Sequence, residues 1–261
     1  MAYQHGIRVK EVETSMITPV EGTAGLQVVF GTAPVNLVEN PPVNEPVIAY
    51  SYEEAVAQLG YSEDFAAYTL CQSMYASFQM FGVAPVIFIN VLDPAKHKKE
   101  NEETTVSVSN MQATVPILGI LKSTVSITAN ESPLTEGTDY TLSFDDEGYL
   151  VITLVADGAG EAAETLKVAS TSIDPTAVTA TDVVGGYDAS SGAETGLEVI
   201  RKVYPKFGMT PGLLLAPGWS QDPDVGVVMA TKCEEINGVF SCECLLDLDS
   251  SSTGANQYTK C

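Results

Sequence analysis

The strongest chemical signal in the chain is the pair Cys242-Glu243-Cys244 with Cys233 nine residues upstream of it. Thiols at i and i+2 of a strand point to the same side, and a helix cysteine could approach them as a third ligand. A closed structural zinc site needs four ligands in tight paired spacing, which this run lacks, so these residues read as small buried side chains. With Cys71 and Cys261 they make five, an odd number in a long chain. That count fits reduced buried thiols better than a disulfide framework. The two histidines, His5 and His97, fall in segments expected to be mobile or exposed, so a Ser-His-Asp triad would lean on a residue that no rigid element holds. Ser220 sits in Gly218-Trp219-Ser220-Gln221-Asp222, which misses the second glycine of a nucleophile elbow. Asp222 with Asp224, or Asp247 with Asp249, could serve acid-base work, but the first pair stands at a helix N-terminus where carboxylates complement the dipole. No phosphate-binding G-x-x-x-x-G-K-[ST] loop occurs, and no G-x-G-x-x-G follows a strand. The residues therefore point to no catalytic group, no cofactor, no metal and no enzyme.

Charge narrows the partners. The net charge of −22, from 34 acidic and 12 basic side chains, argues against nucleic acid and against an anionic membrane. The one basic run, Lys96-His97-Lys98-Lys99, is followed by Glu100, Glu102 and Glu103 and reads as a solvated junction. The acidic run Asp145-Asp146-Glu147-Gly148 lacks the alternating ligand spacing of a calcium loop. Residues 1 to 30 show no signal-peptide apolar core, and no stretch approaches the roughly 18 to 20 apolar residues of a membrane span, so synthesis in the cytosol is expected.

The elements that would position these residues fall into two textures. A length of 261 residues and 45% hydrophobic content predict two domains rather than one. Nearly all-apolar strands at Leu26 to Thr32 and Val86 to Leu92 predict a sheet covered on both faces. Between them Ser51-Tyr52-Glu53-Glu54 is a capping box for a helix stopping at Gly60, and Ser62 or Asp64 starts a longer helix to Gly82. Phe65, Tyr68, Met74, Phe78 and Phe81 would lay that helix on the sheet. From about Ala95 to Tyr187 the texture becomes all-β, with Tyr140 to Phe144 and Tyr149 to Val155 as a hairpin turned at Gly148. Then α/β texture returns. A helix from Ser191 or Thr195 is expected to stop at Pro205, followed by a strand Leu213 to Ala216. Another helix opens at Asp222-Pro223 and closes at Asn237-Gly238, and a last strand runs Val239 to Leu248. The fold class expected is α/β, a mostly parallel sheet flanked by helices, with an inserted β-sandwich-like domain. The boundaries are 25–94 with 188–250 for a discontinuous α/β domain, 95–187 for the insertion, and 251–261 for a polar tail.

Residues 1–24 read as an extended arm and tether. In Gly6, Ile7, Arg8, Val9, Lys10, Glu11 and Val12 neither face of a strand could bury a sizeable core, so the segment suits addition to the open edge of another sheet. The order of segments resembles the contractile-tail sheath proteins, subunits that polymerise around the tube of a bacteriophage tail or related injection machine. The resemblance rests on the arm Gly6 to Val12, on Glu21-Gly22, on Gly31-Thr32-Ala33-Pro34, on Gly196-Leu197-Glu198-Val199-Ile200 and on Gly212-Leu213-Leu214-Leu215-Ala216-Pro217-Gly218. It covers most of residues 1 to 95 and 183 to 250.

The resemblance implies a helical homopolymer linked by exchanged strands, shortening of the array to drive an inner tube through a target envelope, and a tube protein as second partner. It places the chain in a virion tail or phage-like particle, a prophage product included, assembled in the bacterial host cytoplasm. Such proteins continue into a tube-facing C-terminal domain, so the chain reads as truncated beyond the polar tail 251–261, before such a domain. The alternative is a surface-exposed binding module or adhesin that uses the inserted β domain; a hydrolase using acidic residues ranks last.

Overall fold

The computed structural model describes residues 25–249. The segment Gly6 to Val12 lies outside the described residues, as do His5 and Cys261. Those described form a mixed helix-and-sheet fold. At its centre Gln27–Gly31 pairs in parallel with Val86–Asn90 on one side and with Leu213–Leu215 on the other. Glu243–Leu245 extends the sheet in parallel beyond Leu213–Leu215, and Pro46–Ala49 runs antiparallel along the far side of Val86–Asn90. This five-stranded order explains the apolar runs. Of its three inner strands, Gln27–Gly31 and Val86–Asn90 are covered on both faces, and Val28, Val29, Phe30, Ile87, Phe88 and Ile89 are all buried. Each large side chain among them contributes about 1.5 to 3 kcal/mol by leaving water.

The helices on this sheet begin where side-chain chemistry dictates. Ser51 caps Tyr52–Leu59 by accepting from the Glu54 N–H, while the Glu54 carboxylate accepts from the N–H of Tyr50, one residue before the expected partner. The next helix departs further from expectation. It starts at Thr69 rather than Ser62 or Asp64: Asp64 caps only a single turn, its carboxylate accepting from the Ala67 N–H and its carbonyl from the Tyr68 N–H, before the regular helix begins. Thr32 then holds the segment from outside, donating to the carbonyl of Ala67 and accepting from the N–H of Thr69. Beyond Met74 the helix widens into a π-helix over Tyr75–Met80, and the Phe81 N–H reaches back to the Ala76 carbonyl. The extra residue per turn breaks the apolar stripe. Met74 and Phe78 stay on the core, Phe78 with its ring 6.1 Å from that of Phe88, while Phe81 is 72% exposed.

Residues 98–173 build three further sheets, two of them around a second apolar cluster that includes Val115, Ile127, Leu150, Ile152 and Leu166. One sheet has Tyr149–Leu154 between Gln112–Leu118 and Tyr140–Phe144; the other sets Thr165–Ala169 between Thr104–Ser107 and Ser126–Ala129. The hairpin pairs Leu150 with Phe144, and Gly148 supplies the φ of 88°. Asp145 completes the turn, its carboxylate accepting from the Tyr149 N–H at 2.7 Å. The chain enters and leaves this region side by side, since Lys98–Glu100 pairs with Thr171–Ile173.

Three later elements also differ from the sequence reading. Pro205 does not stop its helix: a 3-10 segment, Gly196–Lys202, precedes the α-helix Val203–Phe207, so Pro205 stands in a first turn where its missing N–H is not needed. Gly208, left-handed at φ 68°, ends it. Asp222 caps Pro223–Glu234 as expected, but the helix closes before Asn237-Gly238, which form the turn that follows. The final strand covers only Glu243–Leu245, because one partner strand of three residues lies beside it.

Candidate functional site

The four parallel strands start together. Gln27 stands opposite both Val86 and Leu213, and Leu213 opposite Glu243. Residue 25, where the leading segment joins the described chain, therefore enters at the N-terminal end of the sheet. Antiparallel Pro46–Ala49 finishes at the same end, with Ala49 opposite Val86, which brings Tyr50 there too. Around this end stand Tyr50, Met80, Phe81 and Val83, at 54%, 61%, 72% and 37% exposure. The sequence reading missed this patch because it assigned Phe81 to the buried stripe. The π-helix, set by packing, gives no signal in the apolar spacing.

The two outer strands differ. Pro46–Ala49 is half-buried, whereas Glu243–Leu245 shows mostly exposed residues and has no strand beyond it among the described residues. A strand of this kind presents unpaired backbone N–H and C=O groups. Leu245, Leu246 and Leu248 continue the exposed apolar surface along that side.

At the opposite end, where open α/β sheets ordinarily bind ligands, Asn90, Ser220, Asp222 and Asp247 spend their polar groups on the protein's own backbone. Asn90 is fully buried, accepts from the N–H groups of Ala33 and Leu92, and donates to the carbonyls of Pro42 and Leu92. The Ser220 hydroxyl accepts from the Asp247 N–H at 2.8 Å, and the Asp247 carboxylate accepts from the Gly218 N–H. Asp222 accepts from Asp224 N–H as a cap.

His97 is the principal correction to the sequence reading. Expected in an exposed basic loop, it is 2% exposed. Its Nδ1 accepts from the Asp93 N–H at 2.9 Å, which leaves the proton on Nε2, 3.4 Å from Asp182 Oδ1. Lys96 pairs with the same carboxylate oxygen, and the Thr179 N–H and hydroxyl reach its other oxygen. Burial opposes charge on Asp182, yet the bonds from Lys96 and Thr179, with His97 beside them, hold its carboxyl at about 2. Lys98 and Lys99, by contrast, are exposed as expected. The cleft beside His97 has a volume of about 410 Å³ and includes Asp93, Lys96, Asp182 and Tyr187 in its walls. The Nδ1 lone pair is taken by the Asp93 N–H, so His97 can act as a base only by giving up that bond.

The cysteines are brought together in part. Cys233 and Cys242 place their sulfurs 3.3 Å apart, Cys244 lies within reach of Cys233, and Cys71 is buried elsewhere with burial pushing its thiol up to about 12. Among the described residues no three His, Cys, Asp or Glu side chains form a group set to hold a metal ion. No described helix is long and apolar enough to cross a membrane.

The geometry is that of a mixed helix-and-sheet protein whose accessible features are a strand edge and apolar side chains rather than an equipped cleft. No protein-family model matches the chain. It is 30% identical over 241 residues, 91% of its length, to a protein named "Tail sheath protein" from Burkholderia phage BcepMu. The resemblance to tail sheath proteins read from the sequence is thus borne out, and the chain is related to that family. It spans about half the length of this curated relative, 48%.

Proposed function

We propose that the chain is a structural subunit of a contractile tail sheath, one that polymerises helically around an inner tube and shortens to drive that tube through a target envelope. The observation that carries this reading is the match to a tail sheath protein across 91% of the chain. Heterologous contacts that do not close a ring generate such helices. The segment Gly6, Ile7, Arg8, Val9, Lys10, Glu11 and Val12 adds as a strand to the sheet of a neighbouring copy. In support, residue 25 enters at the end of the sheet ringed by Tyr50, Met80, Phe81 and Val83, and Glu243–Leu245 offers an open edge.

Residues 25–94 and 188–250 act as one discontinuous α/β unit, with 95–187 as an insertion facing away from the tube. The side-by-side entry and exit through Lys98–Glu100 and Thr171–Ile173 supports that division, since insertions succeed where chain ends lie close together. The subunit belongs to a virion tail or phage-like particle assembled in the host cytoplasm, with itself and a tube protein as partners.

The test is deletion of residues 1 to 20 from the full-length protein. A folded monomer by circular dichroism that gives no striated cylinders in electron micrographs is the expected result. Cylinders of normal length would show that cohesion does not depend on the leading segment.

A further inference from the structure

The last turn of helix Pro223–Glu234 and the residue ahead of strand Glu243–Leu245 are joined twice over. The Cys242 N–H donates to the Cys233 carbonyl at 2.9 Å, and the two sulfurs lie 3.3 Å apart. The intervening loop is closed by reciprocal backbone bonds between Ile236 and Phe240, so the chain between the thiols is held rather than slack. A disulfide needs its sulfurs at about 2 Å, a displacement that side-chain rotation supplies when the backbones already touch. Cys233 is buried, while Cys242 is half-buried and open to a small reagent.

We propose that Cys233 and Cys242 form a redox-responsive disulfide that fastens the end of helix Pro223–Glu234 to the edge strand of the sheet. The pairing goes beyond any role in a sheath, because it asks only for a low-molecular-weight disulfide as oxidant. The Cys242 thiolate attacks one sulfur of that reagent, forming a mixed disulfide and expelling one thiolate. Cys233 then gives up its proton to solvent and attacks the Cys242 sulfur, expelling the second. Two protein thiols are oxidised, one external disulfide is reduced to two thiols, and no other electron acceptor is required. The division of labour agrees with the electrostatics: the contact between the two sulfurs raises the Cys233 thiol and lowers that of Cys242, so the accessible sulfur is the one that ionises first. Cys244, two residues on, also reaches Cys233 and is the natural competitor.

Peptide mapping distinguishes them. The full-length protein is equilibrated with oxidised and reduced glutathione, free thiols are capped with N-ethylmaleimide, and the product is cut after glutamate. Cleavage at Glu234, Glu235 and Glu243 leaves Cys233, Cys242 and Cys244 on three separate peptides. The expected product joins the peptides of Cys233 and Cys242, lighter than their sum by two hydrogens, with Cys244 capped. It persists in Cys244→Ser and disappears in Cys242→Ser. In denaturing urea, at the same glutathione ratio, its yield falls by roughly tenfold or more, because the fold no longer holds the thiols together. A Cys233–Cys244 product, a stable glutathione adduct on Cys242, two capped thiols, or an equal yield in urea would each overturn the proposal. The urea arm uses the unmodified protein, so a serine variant that fails to fold does not decide the matter.

Discussion

Asp182 joins segments far apart in the chain. It receives the Lys96 ammonium, the Thr179 N–H and hydroxyl and the His97 ring, and it lies 86 residues from Lys96 in sequence. Its folded carboxyl at about 2 is below the ordinary 3.8. A depressed acid contributes stability that is complete above the unfolded value and lost as the pH falls through the folded one. The protein is therefore expected to lose stability between about pH 4 and about pH 2 partly through this group, and Asp182→Asn to lack that share of the loss. Urea titrations of both proteins across that window decide it, since parallel pH profiles would remove Asp182 from the account. None of this was legible in the run Lys96-His97-Lys98-Lys99. Both faces of the strand Lys98–Glu100 are open to solvent, which exposes Lys98 and Lys99 alike, but the burial of His97 depends on a distant helix, Ala180–Val184, reached only after the second group of sheets.

Helix ends obeyed neighbouring chemistry where no distant group competed. Ser51 and Asp222 each cap the helix assigned to them, and Gly60 stops the first. Ser51→Ala should cost about 1 kcal/mol, read as a lower urea midpoint with unchanged slope. A loss under a few tenths would mean that packing of Ala55 and Leu59 holds the helix without its cap. Residues 62–68 show the reverse case, with good helix-start residues drawn into turns by Thr32. The π-turn over Tyr75–Met80 changes the facing of Phe81 in the same way. In the second half, Gly185 and Gly196 approach so closely that a Cβ on Gly185 would lie 2.0 Å from the Thr195 carbonyl oxygen. Such a crossing of two backbones cannot be read from either segment alone.

Taken together, the chain carries two apolar clusters, one on the five-stranded sheet and one among the sheets of residues 98–173. If they open separately, Ile152→Ala, with a cost of about 2 to 5 kcal/mol, should lower amide protection in Tyr149–Leu154 and Thr165–Ala169 while sparing Gln27–Gly31 and Val86–Asn90. An equal fall in both regions would make them one cooperative unit. The change of texture near residue 95 and the kinship with tail sheath proteins were visible in the amino-acid order, because periodicity, turn residues and short motifs are properties of chain neighbours. So were the strands at the heart of the sheet, whose apolar runs admit no other placement. The sheet's partner order, the meeting of Cys233 with Cys242, the burial of His97 and the exposure of Phe81 were decided only in three dimensions. Each depends on hydrogen bonds or packing between segments far apart in the chain, and local spacing carries no record of which distant group will arrive.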